Sequence, residues 1–186
     1  MILEHFLLSV NETNAYIVAC TDTGEAAVID PGEWNGLMAG FIKDQKLSLT
    51  WALITHNHSD HTAGIEAIKQ GYPSVHAAAH ALFPNADLRL AAGDTVQVGK
   101  LNLRVLETPG HTADSLSFVV GNDVFCGDAL FAGSVGGTGS RQEHAQLIRA
   151  IRKELLSLGD DMVLHPGHGP ATTVLIERLY NPFLVA

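Results

Sequence analysis

The sequence has little that would crosslink it, anchor it in a bilayer or draw it to nucleic acid. Among 186 residues only Cys20 and Cys126 are cysteines, without CxxC spacing and inside apolar runs, so a disulfide framework is not indicated. No run of about 18 apolar residues occurs, and Met1-Ile2-Leu3-Glu4-His5-Phe6 lacks a basic region followed by a long apolar one. Neither a membrane span nor a secretory leader is expected, and the cytoplasm is the simplest address. Positive charge is scarce as well. Eleven Lys and Arg stand against 20 Asp and Glu, giving a net charge of −9 with no basic cluster, which argues against a nucleic-acid partner. Bound divalent cations would offset part of that charge locally, so a small anion could still approach a metal site.

What is present suits a folded enzyme. A composition of 46% hydrophobic and 17% charged residues, with a mean hydropathy of +0.15, is that of a compact globular chain rather than a disordered one. The length of 186 residues suits one core better than two, so residues 1–186 are expected to form a single domain.

Short apolar and β-branched runs separated by turn formers predict strands at 2–9, 15–20 and 26–29, an antiparallel meander. Helical spacing of Leu37, Met38, Phe41 and Ile42 predicts a helix over 34–45. A buried strand over 49–55 leads into a polar cluster and then a helix over 63–70. Further strands are expected at 74–77, 95–98, 101–107, 115–120 and 123–125. Ser140 to Glu143 has the form of a capping box, before a helix that Gly159 ends. A last strand at 162–164 and a helix at 174–180 complete the order, for which two mixed sheets with helices outside give a consistent architecture.

The chemistry is concentrated at strand ends. Thr55-His56-Asn57-His58-Ser59-Asp60-His61 places four imidazole or carboxylate groups directly after an apolar strand. Those are the ligand types shared by zinc, iron and manganese, and their tight spacing lets one loop address two neighbouring ions. Three further apolar runs end in glycine-containing turns: Thr108-Pro109-Gly110-His111-Thr112, Cys126-Gly127-Asp128 and His165-Pro166-Gly167-His168-Gly169. Glycine permits the close backbone approach and proline stiffens it, and together these turns supply His111, Asp128 and His168.

His-x-His-x-Asp-His, then Gly-His-Thr, Gly-Asp and Pro-Gly-His-Gly, in that order, resemble the metallo-β-lactamase superfamily and in particular its small glyoxalase II-like branch. Asn14-Ala15-Tyr16-Ile17-Val18, Val28-Ile29-Asp30-Pro31-Gly32 and the tail from Gly167 to Leu184 are also similar to that branch. The resemblance implies an α+β fold, a four-layer αββα sandwich with the metal site at one edge between the sheets. It further implies that His56, His58 and His111 hold one divalent ion, that Asp60, His61 and His168 hold a second, and that Asp128 bridges them. Zinc is the expected metal, with iron or manganese as alternatives. On that implication a metal-bridging hydroxide, oriented by Asp60, hydrolyses a small-molecule thioester of the hydroxyacylglutathione kind. Asp30 is placed behind the ligands, where a carboxylate would hold the far nitrogen of a histidine, or else serves as a turn residue. His144, at the start of a helix, is a candidate substrate contact.

The pattern departs from glyoxalase II in two respects. The chain reaches Ala186 without the C-terminal helical domain that grips glutathione in those enzymes, and Gly137 stands where many relatives carry an arginine. Two other readings therefore stand beside the hydrolase: a persulfide dioxygenase-like enzyme with one iron held by His56, His111 and Asp128, and a non-catalytic metal-binding module. Oligomeric state is not legible in the sequence.

Overall fold

The structure is a computed structural model that describes residues 1–185. Six strands form the first sheet in sequential order: β1 (Ile2–Leu7), β2 (Asn14–Ala19), β3 (Glu25–Ile29), β4 (Ser48–Leu53), β5 (His76–His80) and β6 (Leu88–Leu90). The first three pair antiparallel and the rest run parallel from β3 onward. Parallel neighbours need crossovers, and helix α1 (Gly36–Asp44) supplies one while α2 (Ser59–Thr62) and α3 (Ile65–Gly71) supply the next.

The second sheet begins with β7 (Thr95–Val98), β8 (Leu101–Glu107), β9 (Leu116–Val120) and β10 (Asp123–Gly127). A small hairpin follows, β11 (Leu130–Phe131) with β12 (Ser134–Val135). Helix α4 (Arg141–Ala150), continued by a π-helical turn over Ile151–Leu155, returns the chain to β13 (Val163–Pro166), which lies parallel to β10. Strand β14 (Thr172–Thr173) and helix α5 (Val174–Tyr180) close the chain, and the sheet order is β14-β13-β10-β9-β8-β7.

Three apolar layers explain the stacking. Ile29, Leu53, Leu103, Phe118 and Phe125 fill the space between the two sheets. The outer face of the first sheet, through Ile17 and Val28, packs on Met38 and Ile42 of α1 and Ile68 of α3. The outer face of the second, through Val124 and Leu164, packs on Leu147, Ile151 and Leu155 of the helix that begins as α4, and on Val174 of α5. This is the αββα sandwich. Strands with both faces covered are buried at every position, as β2 and β9 are, whereas β7 alternates exposed and buried positions.

Several boundaries differ from the sequence expectation, each for a physical reason. Strand β4 ends at Leu53 because Thr55 leaves the ladder to hydrogen-bond Asp30. The helix expected from residue 63 is preceded by the turn α2, which carries Asp60 and His61. Two-residue pairings such as the β11–β12 hairpin and β14 are too short to show a period-2 pattern, and the sequence reading missed them. Among the described residues, no helix is long and apolar enough to cross a membrane.

Candidate metal centre

The topology brings five strand ends to one edge. Asp30 follows β3, His56 follows β4, His111 follows β8, Asp128 follows β10 and His168 follows β13. Strands β3 and β4 run parallel, as do β10 and β13, so their C-terminal ends open on the same side of the sandwich. The turn between β4 and α3 adds His58, Asp60 and His61.

Seven side chains converge there in two groups. His56 Nε2 and His111 Nε2 each lie 3.1 Å from His58 Nδ1, and Asp128 Oδ2 lies 3.9 Å from His56 Nε2 and 3.6 Å from His111 Nε2. In the other group His168 Nε2 is 3.5 Å from both Asp60 Oδ2 and Asp128 Oδ2, while His61 Nε2 is 3.4 Å from Asp128 Oδ1 and 3.9 Å from Asp60 Oδ2. Asp128 thus lies within 4 Å of ring nitrogens from both groups. His56, His61 and Asp128 form a buried floor, and His58, Asp60, His111 and His168 form a rim that reaches solvent.

Hydrogen bonds behind the ring fix which nitrogen faces inward. His61 Nδ1 donates to Asp30 Oδ2 at 3.0 Å, since a carboxylate only accepts. Thr55 Oγ1 donates to the same oxygen at 2.6 Å and is left to accept from His56 Nδ1 at 3.0 Å. His111 Nδ1 donates to the Gly137 carbonyl at 2.6 Å. The Nε2 atoms of all three rings therefore face the centre, the orientation that metal-ligating histidines adopt.

The donor set fits divalent cations. Ligands about 2.0–2.1 Å from a tetrahedral ion stand roughly 3.3 Å apart, which matches the separations within each group. Among the described residues, the buried side-chain polar atoms without a partner are His61 Nε2 and Asp128 Oδ1, both directed into this cluster. Leaving such atoms unpaired costs about 1–3 kcal/mol each, and a cation between them removes that cost. A hydrogen on His58 Nδ1 could serve only one of the two imidazole nitrogens 3.1 Å away, whereas a cation serves all three.

Protonation separates the two groups. Burial, followed by the nearby His61 charge, pushes His56 down to about 2, and burial together with His111 lowers His58, so both remain neutral donors. Burial also works against a charge on His61, but Asp30, Asp128 and Asp60 outweigh it and hold that ring above its ordinary range. The Asp128 carboxylate beside His168 raises it too. Burial would raise Asp60, yet the Asn11 amide, His61 and His168 keep it below the usual carboxylate range and ionised.

The remaining candidates fall elsewhere. His144 of α4 sets its ring against Phe183, with centroids 6.3 Å apart. Gly137 contributes its carbonyl, and the space beyond its Cα is open. Cys126 is buried, its thiol pushed up to about 12 by burial and by Asp128, which leaves it no nucleophile. Sequence reasoning passed over Thr55, which lay inside the quoted motif, and His5, whose Nε2 donates to Asn14 Oδ1 at 2.7 Å.

Fold and site together define a metallo-hydrolase type of architecture with a His and Asp metal site, and the sequence matches the metallo-beta-lactamase superfamily model over residues 8–168; the chain belongs to that superfamily. It is 39% identical over 165 residues to a hydroxyacylglutathione hydrolase of Rhodopseudomonas palustris, covering 86% of this chain and 63% of that protein. The chain thus spans less than two thirds of that relative. Hydroxyacylglutathione hydrolase GloC of Haemophilus influenzae is 32% identical over 188 residues, with 88% and 89% of the two chains covered. Among solved structures, ETHE1 from Myxococcus xanthus superposes with a TM-score of 0.91 at 30% identity, covering 99% of this chain and 84% of that one.

Proposed function

We propose that the protein is a metal-dependent thioesterase of the hydroxyacylglutathione hydrolase kind. In this reading His56, His58 and His111 hold one divalent ion, Asp60, His61 and His168 hold a second, and Asp128 is shared. Zinc suits the nitrogen and oxygen donor set, and iron and manganese accept the same ligands. The observation that carries the reading is Asp128, one oxygen of which lies within 3.9 Å of His56 and His111 while the other, orphaned, lies 3.4 Å from His61. The two hydroxyacylglutathione hydrolase relatives support the substrate class.

Divalent cations in this setting supply Lewis acidity, polarising an acyl carbonyl and acidifying water. The protein's own part is arrangement. The buried floor excludes solvent from one side, so an acyl group meets the site across the open rim. Asp60, ionised and on that rim, can orient an attacking water and accept its proton. Asp30 and Thr55 hold the far nitrogens of His61 and His56 and so aim both Nε2 atoms at the centre.

Metal content per chain, measured together with thiol release from S-lactoylglutathione, tests the reading. Two ions per chain with thiol release is the expected outcome. One iron per chain, no thiol release and oxygen consumption with glutathione persulfide would replace it with the mononuclear dioxygenase reading, in which His56, His111 and Asp128 hold the iron.

A further inference from the structure

The turn between β1 and β2 touches one half of the cluster only. Its backbone is wound tightly, with Asn11 at φ 53° and Glu12 at φ 54°, a region few non-glycine residues occupy. From that turn Asn11 Nδ2 donates to Asp60 Oδ2 at 2.8 Å, and Thr13 Oγ1 donates to the same oxygen at 3.3 Å. Thr13 also forms an isolated β-bridge with His168.

The next residue grips the strap that carries His168. Asn14 donates its backbone N–H to Gly167 O at 2.7 Å, and its Nδ2 to Pro166 O at 3.0 Å and Gly169 O at 2.7 Å. Its own amide oxygen accepts from His5 Nε2 at 2.7 Å, which fixes the orientation of the amide. Thr13 and Asn14 are fully buried, so these bonds are not exchanged for water. Among the described residues, the turn makes no hydrogen bond to His56, His58 or His111; His56 is held by Thr55 and His111 by the Gly137 carbonyl instead.

We infer that the Asn11–Asn14 turn is a positioning device for the Asp60/His61/His168 group alone, and that it sets whether the protein carries a second divalent ion without affecting the first. The inference rests on the two-metal reading above. Its physical basis is that Asp60 and His168 come from elements far apart in the chain, and the turn is the element bonded to both. Partners behind metal ligands are commonly worth about 10–100-fold in affinity.

Cobalt titration of the metal-free full chain, followed by absorbance and by metal content after dialysis, tests this. Three variants are compared with the wild type. Asn11→Gly removes the amide but retains the left-handed backbone; Thr13→Val exchanges the hydroxyl for a methyl of similar shape; Asn14→Ala releases the strap. The double variant Asn11→Gly/Thr13→Val leaves Asn14 in place and guards against a fold defect in Asn14→Ala. The expected result is two equivalents in the wild type, with the second weakened about 10–100-fold in the variants, the first unchanged, and a residual one-cobalt spectrum matching that of Asp60→Ala. Unchanged affinity for both equivalents in the double variant overturns the inference. So does equal weakening of both, which would make the turn a general support. A wild type that saturates at one equivalent overturns the two-metal reading itself and the inference with it.

Discussion

Thr55 and Asp30 are joined twice, the Thr55 backbone N–H reaching Asp30 Oδ1 at 2.8 Å and the Thr55 hydroxyl reaching Oδ2 at 2.6 Å. The second bond commits the hydroxyl hydrogen, so the His56 ring can only donate to Thr55 and must turn its lone pair inward. Asp30 is held for this at φ 52°, a conformation that costs a non-glycine residue energy. Two histidines from one loop are thereby oriented by one carboxylate.

Thr55→Val, which retains shape and loses the hydroxyl, is expected to lower affinity for the ion beside His56 about tenfold. Thr55→Ser retains the relay and should stay near wild type. Equal metal affinities in the Val and Ser variants, measured by competition with a chromophoric chelator, would remove the relay from the account.

Asp128→Asn leaves a side chain that can no longer face both groups as a carboxylate. Turnover should be abolished and both ions weakened, while the near-ultraviolet circular dichroism stays native. Asp60, on the rim, should cost far more in rate than in thermal stability when replaced by Ala. Full activity in either variant is incompatible with the two-metal proposal.

Gly167 has no room for a side chain, because a Cβ there would overlap Asp128 Oδ1 and crowd His61 Cε1. Gly167→Ala is therefore expected to displace both groups and lower metal content while secondary structure persists. A variant that retains wild-type metal content would mean the strap shifts freely, which the Asn14 hydrogen bonds oppose.

Metal should stabilise the fold by linkage. An ion present at about 100 times its Kd contributes about 2.7 kcal/mol, and at roughly 2–4 °C per kcal/mol for a chain of this size Tm should rise by about 5–10 °C. Differential scanning fluorimetry with chelator and then with added zinc reads this directly. No shift at saturating zinc would show that the orphaned His61 and Asp128 atoms do not bind it.

One pH effect lies outside the cluster. Lys69 Nζ and the Ala77 N–H both donate to Asp87 Oδ2 at 2.7 Å, and in that order they hold its carboxyl below the ordinary value. A depressed folded-state pKa contributes stability that is present above the unfolded value and lost as pH falls through the folded one. The difference in urea midpoint between wild type and Asp87→Asn should accordingly be largest near neutrality and shrink as pH is lowered from about 5. A difference that is constant with pH would assign the effect to the hydrogen bonds alone.

The local features of this protein were legible in the sequence because their causes are local. Apolar runs bounded by turn formers placed β7 at 95–98 and β8 at 101–107 where the structure has them, and the helix expected at 174–180 is α5. His56, His58, Asp60 and His61 fell within six residues, and glycine turns marked His111, Asp128 and His168. The relations across the chain were not legible. That His61 is the histidine Asp30 holds, that Thr55 joins them and that Gly137 lends its carbonyl rather than a side chain depend on neighbouring strand ends and loops meeting at one edge, whereas the grip of Asn14 on a strap about 150 residues away depends on the two sheets lying face to face. His144 sets its ring against Phe183 where α4 and the C-terminal segment pack together outside the second sheet. Spacing along the chain specifies which groups are available; only closure of the sandwich brings distant strand ends to one edge and decides which nitrogen, carbonyl or carboxylate each of them meets.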